Sequence, residues 1–472
     1  MRGRLALGGR AIVSRALRTP DRTRSAPCEP LDYPPTHMAR SNEMPSGIRT
    51  AQKSNQTEPP RCLQHGVVPC SRISPQNGQP HLADKIAENR YPAMNAKRLN
   101  TLTSLRFFAA AMIVLLHMDG TFWPTVGLQG FTTGVSFFFV LSGFILRLVY
   151  GELHSAAEIR SFYVARIARI WPMHLLSTLV LMLAAGEALP SWNIVAANLL
   201  LVQSWVPHPD WYFSMNGVAW SISTEFAFYA VFPILSWKLE KTWRIKVLFT
   251  VGGIVACALI YPLMRPENSA DALLVLAGLL YINPISRVFE FLVGILAATV
   301  YKKVRATVSG GRAVWTAAEL LVCVIVAACV MRAWPTYQAI EPFSPQLAEW
   351  ILQSGQFWAL SLLIFVFAIG RGALSWWLSS RPFVFLGEIS FAMYMLHQVI
   401  IKAMETHLRD FMLDQPALST AVYLVVVLLS SSAAFVLFEK PTRNFILSKA
   451  TARFNSGSST KQTEQPTHSS QN

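Results

Sequence analysis

Two ionisable side chains lie in one apolar stretch of the chain, SLRFFAAAMIVLLHM at residues 104–118. Arg106 and His117 are eleven residues apart, and eleven helical residues make three turns plus about 20°, so both side chains share one helix face. A rise of about 1.5 Å per residue separates them by about 16 Å. Ionisable groups are expensive to bury in a membrane and are therefore more often functional than accidental. The pair marks the first candidate site.

The composition indicates that membrane helices position these residues. Hydrophobic residues make up 52% of the 472-residue chain, charged residues only 14%, and the mean hydropathy is +0.35. Apolar runs of about 18 to 21 residues recur, each long enough to cross a hydrocarbon core about 30 Å thick. We predict an all-α, polytopic bundle of about ten spans, at 105–122, 131–150, 173–189, 217–237, 246–264, 284–301, 314–332, 351–370, 383–402 and 418–438.

The distribution of Lys and Arg predicts the orientation of the bundle. Twelve of these residues fall in four alternate connections, and only Arg265 and Arg409 fall in the others. Because cytoplasmic loops carry the excess of Lys and Arg, both termini are predicted to be cytoplasmic. The four cytoplasmic connections are 151–172, 238–245, 302–313 and 371–382.

Two shorter apolar stretches are not predicted to cross the membrane. Residues 192–206 are short, and an eleventh span there would invert the charge pattern of every later loop, so we interpret them as interfacial or re-entrant. Residues 272–281 are cut off by Asn283-Pro284 and are interpreted as a partly inserted outer segment.

The chain divides into three regions by composition. Residues 1–97 are rich in Pro, Ser, Arg and Gln without hydrophobic periodicity and are predicted to be disordered. Their arginine-rich start resembles a transit peptide, but we favour upstream sequence translated from an early start codon, with Met94 as the natural beginning. Residues 98–447 form the membrane domain, and the polar tail 448–472 is predicted to be disordered. The net charge of +15 suits lipid headgroups or an anionic cytosolic ligand, and no nucleic-acid motif accompanies it.

Other polar residues are predicted to lie in the outer half of the bundle with His117. Glu225 and His397 fall at similar estimated depths, and a carboxylate beside a histidine can fix its tautomer and raise its basicity. The alternative is hydrogen bonding between packed spans, and for His117 and Glu225 we favour function. Ser390, Tyr394 and His397 recur at i, i+4 and i+7, so they form one stripe that either lines a cavity or makes interhelical contacts.

The remaining ionisable residues of the spans and loops have two interpretations each. Arg166 and Arg169 precede Pro172 and, with Arg106, would form a basic collar that binds phosphate, although ordinary cytoplasmic anchoring predicts the same arginines. Arg287 and Glu290 are three apart in one span, and a structural ion pair is favoured over substrate binding. The cysteines have no zinc or disulfide spacing, so no metal is predicted.

Several segments recur in a specific order along the chain. They are an arginine and a histidine separated by ten residues (Arg106, His117), GVSFFFVLSGFIL at 134–146, R-x-x-R ahead of a proline at 166–172, WSISTEFAFY at 220–229, SRVFEFLVGILAA at 286–298, LGEISFAMYMLHQ at 386–398 and FEKPTRNF at 438–445. Together they resemble the membrane-bound acyltransferase-3 family, which includes bacterial O-acetyltransferases of cell-surface glycans. The resemblance covers about residues 100–445.

The resemblance implies an enzyme of the inner membrane that moves an acyl group, usually acetyl, from cytoplasmic acyl-CoA to an acceptor hydroxyl on the extracytoplasmic side. His117 would be the general base or the acyl carrier, with Glu225 orienting it. Acetyl-CoA would be held through its phosphates by Arg106, Arg166 and Arg169. From its spacing, and apart from the resemblance, we assign the stripe Ser390, Tyr394 and His397 to contacts with the acceptor. Some relatives carry a fused extracytoplasmic domain after the membrane core. Here we expect the acceptor hydroxyl to receive the acyl group at the membrane domain itself or through a separate partner protein.

Two other classes of function compete with this interpretation. A transporter or flippase could use His117, Glu225 and His397 as a proton relay or glycan path, but no inverted repeat is evident in the sequence. A non-catalytic scaffold is disfavoured by the number of ionisable groups at depth.

Overall fold

A computed structural model describes residues 96–186 and 189–459. Within them, ten helical segments are long and apolar enough to cross a membrane. The long helices, numbered here in chain order, are α1 Ala96–Met118, α2 Thr133–Tyr150, α3 Ala156–Ala185, α4 Trp220–Ser236, α5 Leu239–Met264, α6 Pro284–Val304, α7 Arg312–Ile340, α8 Phe357–Ile369, α9 Arg381–His407, α10 Pro416–Ala434 and α11 Lys440–Ser459. The predicted all-α bundle of about ten spans is confirmed, while the cytoplasmic location of both termini stays a prediction.

Short elements connect the long helices. The short α-helices are Trp192–Leu199, Pro209–Tyr212, Ser269–Ala277, Pro345–Ser354, Ala373–Leu378 and Arg409–Asp414; the 3-10 turns are Gln129–Thr132, Gln203–Trp205 and Gly217–Ala219; and the π-helical turns are Gly278–Ile282 and Phe435–Glu439. The eight residues of the helix at 192–199 reach only about 12 Å, so this stretch does not cross the membrane, in agreement with its interpretation. The stretch at 272–281 falls in a short helix and a π turn that lead into α6.

The third span begins earlier than the sequence predicts. Residues 156–172 were expected in a cytoplasmic connection ahead of a span at 173–189, but α3 is continuous through Pro172. Ser155 caps this helix by accepting a hydrogen bond from the backbone N–H of Glu158. A proline removes one helical hydrogen bond, and a membrane helix of 30 residues tolerates that loss. Arg166 and Arg169 therefore project from a helix, not from a loop.

The two predicted limits of the membrane domain differ from the ends of the helices in the structure. The predicted disordered region 1–97 lies outside the described residues except at its last two positions, which belong to α1. Helix α11 continues to Ser459, past the predicted domain end at 447, so residues 448–459 are helical where disorder was expected. The rest of the predicted tail, residues 460–472, lies outside the described residues.

Glycines allow two pairs of helices to pack backbone against backbone. A Cβ atom at Gly143 of α2 would overlap the carbonyl oxygen of Phe291 in α6, and one at Gly294 of α6 would overlap that of Val140 in α2. Small residues permit this close approach, which is a common basis of helix association in membranes. In the same way, Gly387 of α9 faces the backbone of α1. This contact holds α9 against the helix that carries His117.

A buried ion pair stabilises the contact between α6 and its neighbours. Nε of Arg287 lies 3.0 Å from Oε2 of Glu290, and both side chains are fully buried. The same guanidinium donates hydrogen bonds to the hydroxyls of Ser354, at 2.8 Å, and Ser136, at 2.9 Å. These contacts agree with the structural interpretation of the pair.

Candidate functional site

A cavity of about 410 Å³ lies among α1, α2, α3, α4 and α9 and the turn between α10 and α11. On α2 its lining extends from Val135 to Leu146, which corresponds to a length of about 16 Å. Its wall is apolar along α2 and strongly charged elsewhere. The charged residues that line it are Arg106, Arg166, Arg169, Glu225, Glu388, Lys440 and Arg443. The cavity therefore combines an apolar channel with a basic end.

The structure brings the three arginines that were predicted to bind phosphate to this basic end, and each makes different contacts. Arg106 lines the cavity, and no side-chain hydrogen bond or ion pair joins it to another described residue. Arg166 donates to the hydroxyl of Tyr150 at 3.1 Å and lies over that ring, 5.4 Å from its centroid. Arg169 forms an ion pair with Glu439 at 2.6 Å. Two of the three guanidinium groups thus have partners within the protein.

The residue Glu439 was not identified as a site residue from the sequence. Its side chain is almost completely buried, at 1% exposure, and its only ion-pair partner among the described residues is Arg169. The clue was its place in the segment FEKPTRNF, because a carboxylate at the end of a span needs a cation nearby. The identity of that cation, 270 residues away in the chain, could come only from the fold.

Glu225 lines the cavity within electrostatic reach of Arg106 and Arg166 and does not contact His117. Its Oε1 accepts hydrogen bonds from the hydroxyls of Ser142, at 3.0 Å, and Tyr229, at 2.5 Å. The expectation that Glu225 orients His117 is therefore wrong. Depth along a helix gives the height of a side chain but not the neighbouring helix that it faces, and Glu225 faces α2.

His117 is instead paired with a second histidine. Nδ1 of His117 lies 2.8 Å from the carbonyl oxygen of Ile113 and 3.2 Å from Nε2 of His397. A carbonyl oxygen only accepts, so Nδ1 carries the proton, and the Nε2 atom of the neutral ring has a free lone pair. His397 has the same tautomer because its Nδ1 donates to the carbonyl of Tyr394 at 2.6 Å. The two rings form a chain of hydrogen bonds that leaves one proton acceptor, Nε2 of His117.

The predicted stripe on α9 separates into three different environments. Ser390 is fully buried, donates to the carbonyl of Gly387 at 2.7 Å and does not line the cavity. Tyr394 does line the cavity, and its hydroxyl lies 2.8 Å from that of Ser221. His397 is fully buried against His117. Of the two interpretations of the stripe, lining a cavity therefore applies to Tyr394, and making helix contacts applies to Ser390 and His397.

His117 lies beyond the end of the cavity at Val135 and Tyr394 and is not part of its wall. Gly134 packs against Ala109 and Ile113, so its neighbour Val135, the first lining residue of α2, stands at the height of Ile113. His117 is one helical turn farther, about 6 Å. Tyr394 joins the two places, because it lines the cavity while its ring centroid is 5.8 Å from that of His397.

An acidic residue fixes the loop that follows α1. The carboxylate of Asp119, two residues after His117, accepts hydrogen bonds from the backbone N–H groups of Val126, Gly127 and Leu128 at 2.7 to 3.1 Å. Three such bonds hold the loop against the end of the helix. Asp119 was not singled out in the sequence, although an aspartate at the end of a span is a typical partner for unpaired backbone donors.

Comparison with known proteins identifies the family. The sequence model of the acyltransferase domain, acyltransferase-3 type, matches residues 99–437. The chain belongs to the acyltransferase-3 family. With its ten apolar helices, this acyltransferase is a multi-pass membrane protein.

Two curated relatives illustrate the range of similarity. The acyltransferase is similar to Acyltransferase MdmB of Streptomyces mycarofaciens, with 30% identity over 65% of this chain and 79% of MdmB. It is also similar to O-acetyltransferase OatA of Staphylococcus aureus, with 21% identity over 72% of this chain. That match spans 57% of OatA, so the chain covers little more than half of this relative. No solved structure matches the acyltransferase.

Proposed function

We propose that the acyltransferase moves an acetyl group from acetyl-CoA, bound from the cytoplasm, to a hydroxyl of an extracytoplasmic glycan or related acceptor at the inner membrane. One observation carries the proposal: a cavity lined by arginines ends about one helical turn from a histidine whose Nε2 is held as a proton acceptor. The similarity to MdmB, an acyltransferase, and to OatA, an O-acetyltransferase, supports this chemistry.

In this proposal the donor lies along the cavity. Its phosphates contact Arg106 and Arg166 at the basic end, because guanidinium groups bind phosphate oxygens through paired charge-assisted hydrogen bonds. Its pantetheine arm follows the apolar wall of α2. Glu225, beside these arginines, can accept hydrogen bonds from the amide N–H groups of that arm. The thioester then reaches the end of the cavity at Tyr394.

The transfer step uses the free lone pair of His117. Nε2 takes the proton of the acceptor hydroxyl, and the oxygen forms a bond with the thioester carbonyl carbon. The C–S bond breaks, and the departing thiolate takes the proton back from Nε2, so the histidine returns to its starting tautomer. For this step the side chains between the cavity and His117, including Tyr394, must move to let the acyl group pass about one helical turn. An alternative route carries the acetyl group on Nε2 itself.

The proposal is tested with purified acyltransferase, radiolabelled acetyl-CoA and an envelope glycan extract. We expect release of free CoA together with a labelled, acetylated glycan. His117→Ala should lower the rate by about 10²- to 10⁴-fold, the usual contribution of a general base. His154→Ala, which removes an exposed histidine, is the matched control and should leave the rate unchanged.

Two outcomes separate the alternatives. Labelled protein in the absence of acceptor, lost in His117→Ala, would establish the acyl-carrier route. If vesicles move unmodified glycan while no CoA is released, the enzyme is instead a transporter and the proposal fails.

A further inference from the structure

A second group of charged residues lies at the solvent-exposed edge of the cavity. Lys440 and Arg443, from the start of α11, line it together with Glu388 of α9. Lys440 and Glu388 are exposed, whereas Arg443 is half-buried, as are Arg106, Arg166 and Arg169. Lys440 therefore marks the solvent side of the cavity. We call Lys440, Arg443 and Glu388 the outer group and the three arginines of α1 and α3 the inner group.

The turn between α10 and α11 places the outer group at the cavity. Phe435–Glu439 is a π-helical turn, a feature that is frequent at functional sites. Phe435, Glu439 and Arg443 follow at intervals of four residues and share one helix face. Glu439 fixes this face to α3 through its ion pair with Arg169. The ion pair thus positions Lys440 and Arg443 beside the cavity.

The net positive charge of the inner group is too small to balance the negative charge of the donor. Arg106, Arg166 and Arg169 oppose Glu225 and Glu439, which leaves a single excess positive charge. Coenzyme A carries a diphosphate and a separate 3′-phosphate, and a phosphate monoester alone carries about −1.5 to −2 at neutral pH. Further cations are needed, and the outer group contributes Lys440 and Arg443, whose two positive charges are reduced to a net charge of one by Glu388.

We propose that Lys440 and Arg443 form a distinct subsite for the 3′-phosphate of the donor, while Arg106 and Arg166 bind its diphosphate. The order follows from the molecule, because the pantetheine arm extends inward from the diphosphate and the 3′-phosphate remains nearest the solvent. Glu388 lies in the same rim and weakens this subsite by repulsion. The inference rests on the proposed function, since it concerns the same donor.

The test measures the affinities of CoA and of dephospho-CoA, which lacks only the 3′-phosphate, by calorimetry on the purified full-length protein. The wild type should bind CoA about tenfold more tightly. Lys440→Ala and Arg443→Ala should each weaken CoA binding several-fold and leave dephospho-CoA unchanged. In the double variant the two affinities should become equal. Glu388→Gln should instead increase the preference for CoA over dephospho-CoA, because CoA then binds more tightly.

A control variant and the two ligands together show which results would overturn the subsite. Lys449→Ala removes an exposed cation of the same helix that does not line the cavity, and it should change neither affinity. Unchanged binding of dephospho-CoA shows that each variant is folded. Equal affinities of the two ligands for the wild type, or equal weakening of both in the double variant, would overturn the subsite. Failure of the wild type to bind either ligand would instead overturn the proposed donor, and the subsite with it.

Discussion

Replacing His397 by leucine tests whether the second imidazole acts through the first. The Nδ1–H group of His117 has two acceptors, the carbonyl of Ile113 at 2.8 Å and Nε2 of His397 at 3.2 Å. His397→Leu removes only one of them, so the productive tautomer persists. A lost hydrogen bond costs about 0.5–1.5 kcal/mol, which corresponds to about a 2- to 12-fold lower rate. His117→Ala should cost at least about 10²-fold, because it removes the base itself.

The assay is the initial rate of CoA release at several concentrations of acetyl-CoA and acceptor. Because His397 does not line the cavity, kcat should fall while the KM for acetyl-CoA stays constant. His397→Gln provides the conservative rescue, since its amide oxygen can accept the same hydrogen bond, and it should recover most of the lost rate.

Two results would refute this reasoning. If His397→Leu is as inactive as His117→Ala, then His397 takes part in the proton transfer directly. If instead the KM for the acceptor rises while kcat is unchanged, then His397 binds the acceptor, as we predicted from its place in the stripe on α9. A rate within the expected range, rescued by glutamine, supports a positioning role.

Three further predictions concern stability and donor binding. Glu290→Leu leaves Arg287 buried without its ionic partner and should destabilise the protein by about 3–5 kcal/mol; an unchanged unfolding temperature in detergent would contradict this. Gly294→Val would overlap a backbone oxygen of the neighbouring helix and should reduce the yield of folded protein, whereas Gly252→Val, with open space around the added Cβ, should not. Glu225→Gln should strengthen CoA binding by about 2- to 5-fold, with kcat within about threefold of wild type; a hundredfold loss of kcat would make Glu225 part of the chemistry.

Hydropathy and charge predicted the spans well because they depend on local composition. A run of about 20 apolar residues must cross the bilayer whatever its neighbours are. The beginning of α3 was missed for the same reason. Residues 156–172 are too polar to be recognised as a span, yet they continue its helix through Pro172.

The candidate site was predicted less completely, because sequence periodicity gives the face of a helix but not its partner. Ser390, Tyr394 and His397 do share one side of α9, as predicted, but they meet a backbone carbonyl, a cavity and a histidine respectively. Glu225 was assigned to the wrong neighbour on the same grounds. Its height in the membrane was estimated from its position in the span, whereas its contacts depend on the rotation of α4 against α2.

The sequence by itself determined that this protein is a helical membrane protein and that Arg106 and His117 share a helix face, because both follow from local composition and spacing. Only the tertiary structure decided that His117 pairs with His397, 280 residues away, and that Arg169 pairs with Glu439. Contacts between distant helices depend on which backbones can approach closely, and that is set by the packing of the whole bundle. The proton acceptor of the proposed reaction is therefore a property of the fold, although the residue that carries it was visible in the sequence.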